Sequence, residues 1–184
     1  MNRYLASGLA LTAALTLAAC NGDSSTSQAG VLQAEDLPAA AGSSSPVETI
    51  PPIGSYCGKE FGGVLGPSFD PAGVEYSDVD GATVTSLVTS NPDVSEDRIP
   101  EIRREIQGCA DHTSTPHRIE AIDVGDTRAA FRADAYPDAQ APAGEIGIAR
   151  VKRTYVIVAI SGDGSTSLDL DDLLEKAVQR VSAD

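Results

Sequence analysis

Six consecutive apolar residues, Tyr155 to Ile160 (YVIVAI), restrict this chain more than any other stretch. A strand that is apolar on both alternating sides needs cover on both faces, so it belongs in the middle of a sheet. Gly162-Asp163-Gly164 ends it. Glu145 to Val151 precedes it at hairpin distance, so residues 145–151 and 154–161 are expected to pair.

The neighbouring signals extend that sheet. Val74 to Asp78 and Ala82 to Ser90 flank Val79-Asp80-Gly81, and Asp-Gly is a favoured hairpin turn. Asn91-Pro92 stops the second strand. His117 to Val124 and Thr127 to Tyr136 read as two more strands, with Gly125-Asp126 between them. In the latter, Ala129, Phe131, Ala133 and Ala135 share one face, and Arg128, Arg132 and Asp134 share the other. That alternation predicts a sheet with one wet side.

Two segments carry helical spacing. In DVSEDRIPEIRREIQGC, Ile99, Ile102, Ile106 and Cys109 fall on one face. Pro100 suits a helix that begins at about Glu96 or Asp97, where its missing N–H has no partner to lose. From Leu168 to Val181, Leu170, Leu173, Leu174, Ala177, Val178 and Val181 recur at helical intervals. Asp169, Asp171 and Asp172 complement the dipole at its start and Arg180 at its end. The order strand, strand, helix, four strands, helix predicts an α+β fold: a curved antiparallel sheet of about five or six strands with helices packed on one face.

The N-terminus is of a different kind. Met1 to Tyr4 carries one positive charge, Arg3, and Leu5 to Ala19 is an uncharged apolar run. At about 15 residues it falls short of the ~20 needed to span a bilayer, so it reads as an export signal. It ends Leu17-Ala18-Ala19-Cys20. Small residues before a cleavage point, followed by a thiol that can be alkylated, resemble the lipobox of bacterial lipoproteins. The resemblance implies a thioether lipid on Cys20, cleavage before it, and acylation of the new amino group by a chain such as palmitate. Two or three acyl chains, at ~0.8 kcal/mol per buried CH2, anchor a protein to a membrane. The plainer alternative is a secreted protein with a chance cysteine at the cleavage site.

Residues 1–19 are therefore expected to be the signal and residues 20–52 a Ser-, Pro- and Gly-rich tether. Asn21 to Gly30, if flexible, has a typical end-to-end distance of ~17 Å. Within the tether Val31 to Leu37 (VLQAEDL) has the makings of a helical turn stopped by Pro38. Residues 53–184, about 130 in number, suffice for one core and not for two.

With Cys20 taken by lipid, Cys57 and Cys109 remain. Outside the cytosol they are expected to form a disulfide. It would close a loop of about 50 residues and contribute roughly 3–4 kcal/mol. The alternatives are two free thiols, or Cys109 with His112 and His117 as metal ligands, which lacks a fourth donor.

Thirteen Lys and Arg against 27 Asp and Glu give a net charge of −14, which opposes nucleic-acid binding. The chain has no Trp and so offers few stacking platforms for bases. It lacks G-x-S-x-G and the phosphate-binding G-x-x-x-x-G-K-[ST]. His112 and His117 are the only histidines, and nothing near them supports a Ser–His–Asp site. Asp163 to Asp172 (DGSTSLDLDD) is rich in carboxylates without the order of a calcium loop. Helix capping accounts for those aspartates more simply. Gly62-Gly63-Val64-Leu65-Gly66 has no flanking strand and helix of a dinucleotide site. No catalytic residue, metal ligand or cofactor is assigned.

The order of lipobox, Asp36-Leu37-Pro38, Cys57 before a strand pair, a helix ending at Cys109, then strands and a C-terminal helix resembles the extracellular sensor-domain family of actinobacterial envelopes. That family comprises lipoproteins and the outer domains of receptor kinases, and the resemblance runs from about Val31 to Val181. It implies a cleft between helices and sheet; family kinases have two disulfides where this chain has cysteines for one. The implied function is a non-enzymatic module that binds a small molecule, a lipid or an envelope protein at the outer face of the cell membrane. A scaffold lipoprotein that uses the sheet face around Arg128 and Arg132, and a hydrolase with an unrecognised site, are the alternatives.

Overall fold

Six strands of the seven-stranded main sheet follow from local patterns, the central one from YVIVAI, and the seventh lies in the stretch read as tether. A computed structural model describes residues 30–38, 41–47, 55–56, 59–60, 71–90, 98–110, 119–121, 124, 129–135, 144–162 and 166–183. The strands are β1 (Ser43–Val47), β2 (Ser55–Tyr56), β3 (Lys59–Glu60), β4 (Ala72–Val79), β5 (Ala82–Ser90), β6 (Ile119–Ala121), β7 (Ala129–Ala135), β8 (Gly144–Val151) and β9 (Thr154–Ser161). Two helices, α1 (Arg98–Ala110) and α2 (Leu170–Ser182), complete the set.

The main sheet has the order β1-β4-β5-β9-β8-β7-β6, antiparallel throughout, and β2 pairs with β3 apart from it. The fold is α+β, as the element order requires. Strand β9 stands at the centre, and Tyr155 to Ile160 are all buried. The Asp80-Gly81 turn has both residues at positive φ, 52° and 77°, the geometry of a type I′ hairpin. Just before it, Asp78 at φ 55° marks a bulge, where β4 takes one more residue than β5 between Tyr76 and Val79. The second hairpin turns at Lys152-Arg153, with Lys152 at φ 55°.

Helix α1 holds Pro100 in its first turn, and Ile99 and Ile102 are buried. Helix α2 is capped by Asp169, whose carboxylate accepts from the N–H of Asp171 at 2.9 Å and of Asp172 at 3.4 Å. Its buried residues are Leu170, Leu173, Leu174, Ala177 and Val178.

The helices divide the sheet between them. The α2 side takes Val84, Val88, Val156, Val158, Ile160 and Ala149 into one apolar cluster. Leu87, Ile146, Ile148 and Ile157 alternate with those residues and form a second buried layer on the opposite side. Ile99 and Ile102 of α1 lie outside the α2-side cluster, and α1 lies beside β6, β7 and β8. Both sides of the central strand are thus buried, as its apolar run requires.

The domain also starts earlier than residue 53. Val31, Leu32 and Leu37 are buried in the α2-side cluster, and β1 adds an exposed edge strand. A 3-10 turn at Ala34–Asp36 precedes Pro38, where the sequence predicts a helical turn. Residues 30–38 and 41–47 thus pack with the domain.

Candidate functional site

Polar side chains inside the two apolar layers are the places where chemistry departs from packing. On the α2 side they serve the segment 30–37. The Ser86 hydroxyl accepts from the N–H of Leu32 at 3.0 Å, and the Tyr76 hydroxyl donates to the carbonyl of Leu32 at 3.0 Å. Gly30 enters at φ 91°, where a Cβ would collide with Val181 and Val88.

At the other end of this strap, the Arg180 guanidinium donates to Asp36 at 2.7 and 3.0 Å and to Glu35 at 3.2 Å. Lys176 donates to the Asp36 carbonyl at 2.9 Å. Burial by itself would raise the Asp36 carboxyl. The Arg180 hydrogen bond, the Gln33 N–H and the charges of Arg180 and Lys176 outweigh it and hold that carboxyl below its usual value. Burial, then the charges of Asp36 and Glu35, push the Tyr76 phenol up. The strap is therefore clamped on both backbone and side chain.

The opposite face has a different polar set. Register aligns three rows across β8, β9 and β5: Arg150–Tyr155–Thr89, Ile148–Ile157–Leu87 and Ile146–Ala159–Thr85. Directly opposed residues in antiparallel strands share a face, so the first row is a polar band beside an apolar one. Tyr155 is 0% exposed and Thr89 3%. The Arg150 guanidinium stands 6.0 Å from the centre of the Tyr155 ring, within cation–π range. Thr89 Oγ1 is buried without a hydrogen-bond partner. Both rows are largely buried, so the polar one forms the edge of the second core layer. Its three members bring a guanidinium, a phenol and a hydroxyl together on one face.

Several residues weighed in the sequence fall elsewhere. Cys20, Cys57, His112, His117, Arg128 and Asp163 lie outside the described residues. Cys109 is within α1 and Arg132 within β7, and of their side chains only this backbone placement is described. Asp169 is a helix cap. Among the described residues no group of three His, Cys, Asp or Glu is placed to hold a metal, and no helix is long and apolar enough to cross a membrane. Arg180, read as a dipole complement, is the partner of Asp36 and Glu35. The Arg150–Tyr155–Thr89 row was missed, because its members come from three strands and meet only through register.

No family model matches the chain, and no curated protein does. Among solved structures it is similar to the extracellular domain of PknH from Mycobacterium tuberculosis, with a TM-score of 0.52 and 14% identity, over 86% of this chain and 95% of that one. At that identity the likeness is one of fold: this α+β arrangement is shared with an extracellular domain.

Proposed function

We propose that this chain is a lipoprotein anchored through Cys20 to the outer face of the cell membrane, and that its domain is a non-enzymatic ligand-binding or sensing module of the envelope. The fold shared with the extracellular domain of PknH is the observation that carries the reading. The signal and lipobox at Leu5 to Cys20 support the location. The Arg150–Tyr155–Thr89 row sets a cation and two hydroxyls beside apolar residues and is the place where ligand contact is sought. In this reading Cys57 and Cys109 are joined by a disulfide.

Native mass spectrometry of the protein purified from its own envelope tests the module. A co-purifying small molecule or lipid is expected, and Arg150→Ala is expected to release it. A ligand retained in that variant would move the site away from the row. Cys20→Ala should shift the protein from the membrane fraction to the soluble one; continued retention would count against the anchor.

A further inference from the structure

Among the described residues, exposed acids gather at one end of the strands and an exposed basic turn lies at the other, where the strap enters. Strand β9 is about 26 Å long. At its Ser161 end lie the Asp80-Gly81 turn and the start of α2, joined where Asp80 accepts from the N–H and hydroxyl of Ser167 at 2.9 and 2.6 Å. Asp78, Asp80, Asp169 and Asp172 are exposed there. At its Thr154 end the β8–β9 turn presents Lys152 and Arg153, both exposed. Arg180 engages both Glu35 and Asp36, and Lys176 donates to the Asp36 carbonyl while pairing with Asp172 at 2.8 Å.

Gly30 lies against Val88 and Val181, and Val88 pairs with Val156. The Lys152-Arg153 turn begins three residues from Val156, about 10 Å along the strand. The chain thus enters the domain at its basic end. The ten peptide steps from Cys20 to Gly30 reach at most about 36 Å.

We infer that the Lys152-Arg153 turn faces anionic phospholipid headgroups, so that the domain stands with its basic end on the membrane and its acidic end outward. The inference rests on the lipid anchor proposed above. A chain of net charge −14 does not adsorb to an anionic bilayer unaided. Once tethered it can only choose which end to present, and its charge separation makes that choice. Two basic residues near an anionic surface bias the orientation by roughly 30-fold.

Because the chain has no Trp, a single introduced one is a clean donor. Full-length lipidated Thr154→Trp and Asp172→Trp proteins are reconstituted into phosphatidylglycerol-rich vesicles that carry a dansyl headgroup lipid. Energy transfer from the Thr154 position should exceed that from the Asp172 position by about twofold or more, and the excess should fade at 1 M salt, where the Debye length is about 3 Å. Adding Lys152→Glu and Arg153→Glu to each reporter should abolish the excess while the protein still sediments with vesicles. Lys152→Gln with Arg153→Gln should abolish most of it and guards against a folding defect in the reversed pair. Equal transfer from both positions, or an excess that charge reversal leaves intact, would overturn the orientation. Failure of the Cys20-bearing protein to sediment at all would instead overturn the anchor.

Discussion

The two faces of one sheet are built to different standards. On the α2 side the buried polar groups answer one another: Ser86 and Tyr76 hold both backbone groups of Leu32, and Arg180 closes over Asp36. On the other side a buried Thr89 hydroxyl has no hydrogen-bond partner, and an arginine lies over a buried tyrosine ring. Unsatisfied buried groups are uncommon and carry a cost, so a protein that keeps one has a use for it or tolerates a weak spot. The contrast teaches that the strap and α2 supply stability, while the polar row is where the molecule departs from optimum packing. Function is sought in such departures.

The comparison breaks first at Leu32. Leu32→Ala should lower unfolding stability in urea by ~2–5 kcal/mol, as for other fully buried leucines. A loss no larger than that of an exposed-residue change would show that the strap is a loose tether and that the α2 face closes without it. Ser86→Ala comes next. It strands the Leu32 N–H in a buried place, for an expected loss of ~1–3 kcal/mol by the same measurement.

Arg180→Met probes the clamp by its pH dependence. The Asp36 carboxyl is lowered in the folded state. Its contribution is therefore fully present above the unfolded carboxylate value near 3.9 and is lost as pH falls through the lower folded value. Arg180 is a third exposed, so the loss at neutral pH should be modest, ~1 kcal/mol. It should vanish in thermal melts taken well below pH 4. A loss that is the same at both pH values would assign Arg180 a packing role only.

The smallest effect, and the sharpest, is at Thr89. On a fully satisfied face Thr→Val would cost stability. Here Thr89→Val should be neutral or stabilising by up to ~1 kcal/mol, because the hydroxyl it removes is buried and unpartnered. If the row binds a ligand through that hydroxyl, the same variant should weaken ligand retention in native mass spectrometry. A clear destabilisation would mean that Thr89 is satisfied in solution and that the two faces are alike.

Elements with strong local chemistry were legible early. Asp80-Gly81 announced a hairpin because few other pairs accept positive φ twice. Asp169 was recognisable as a cap because its side chain suits the N–H groups that follow. The second hairpin was placed by its apolar strands although Lys152 is an unusual residue for φ 55°. The strap was not legible as core. VLQAEDL has only a few apolar residues, and a Ser- and Pro-rich stretch follows it, so local composition reads as linker. The Arg150–Tyr155–Thr89 row was not legible: Thr83, Thr85, Leu87 and Thr89 alternate with Ala82, Val84, Ser86 and Val88, but nothing in that string says which neighbours they meet.

Periodicity and turn chemistry by themselves determined the α+β class, the two hairpins, both helices and the central position of YVIVAI, because each depends on residues within a few positions of one another. Tertiary structure alone decided that Leu32 is core, that Arg180 meets Asp36, and that Arg150, Tyr155 and Thr89 form one row. Those contacts join residues far apart in the chain, and they are chosen by strand register and by which apolar surfaces remain uncovered once the sheet has formed.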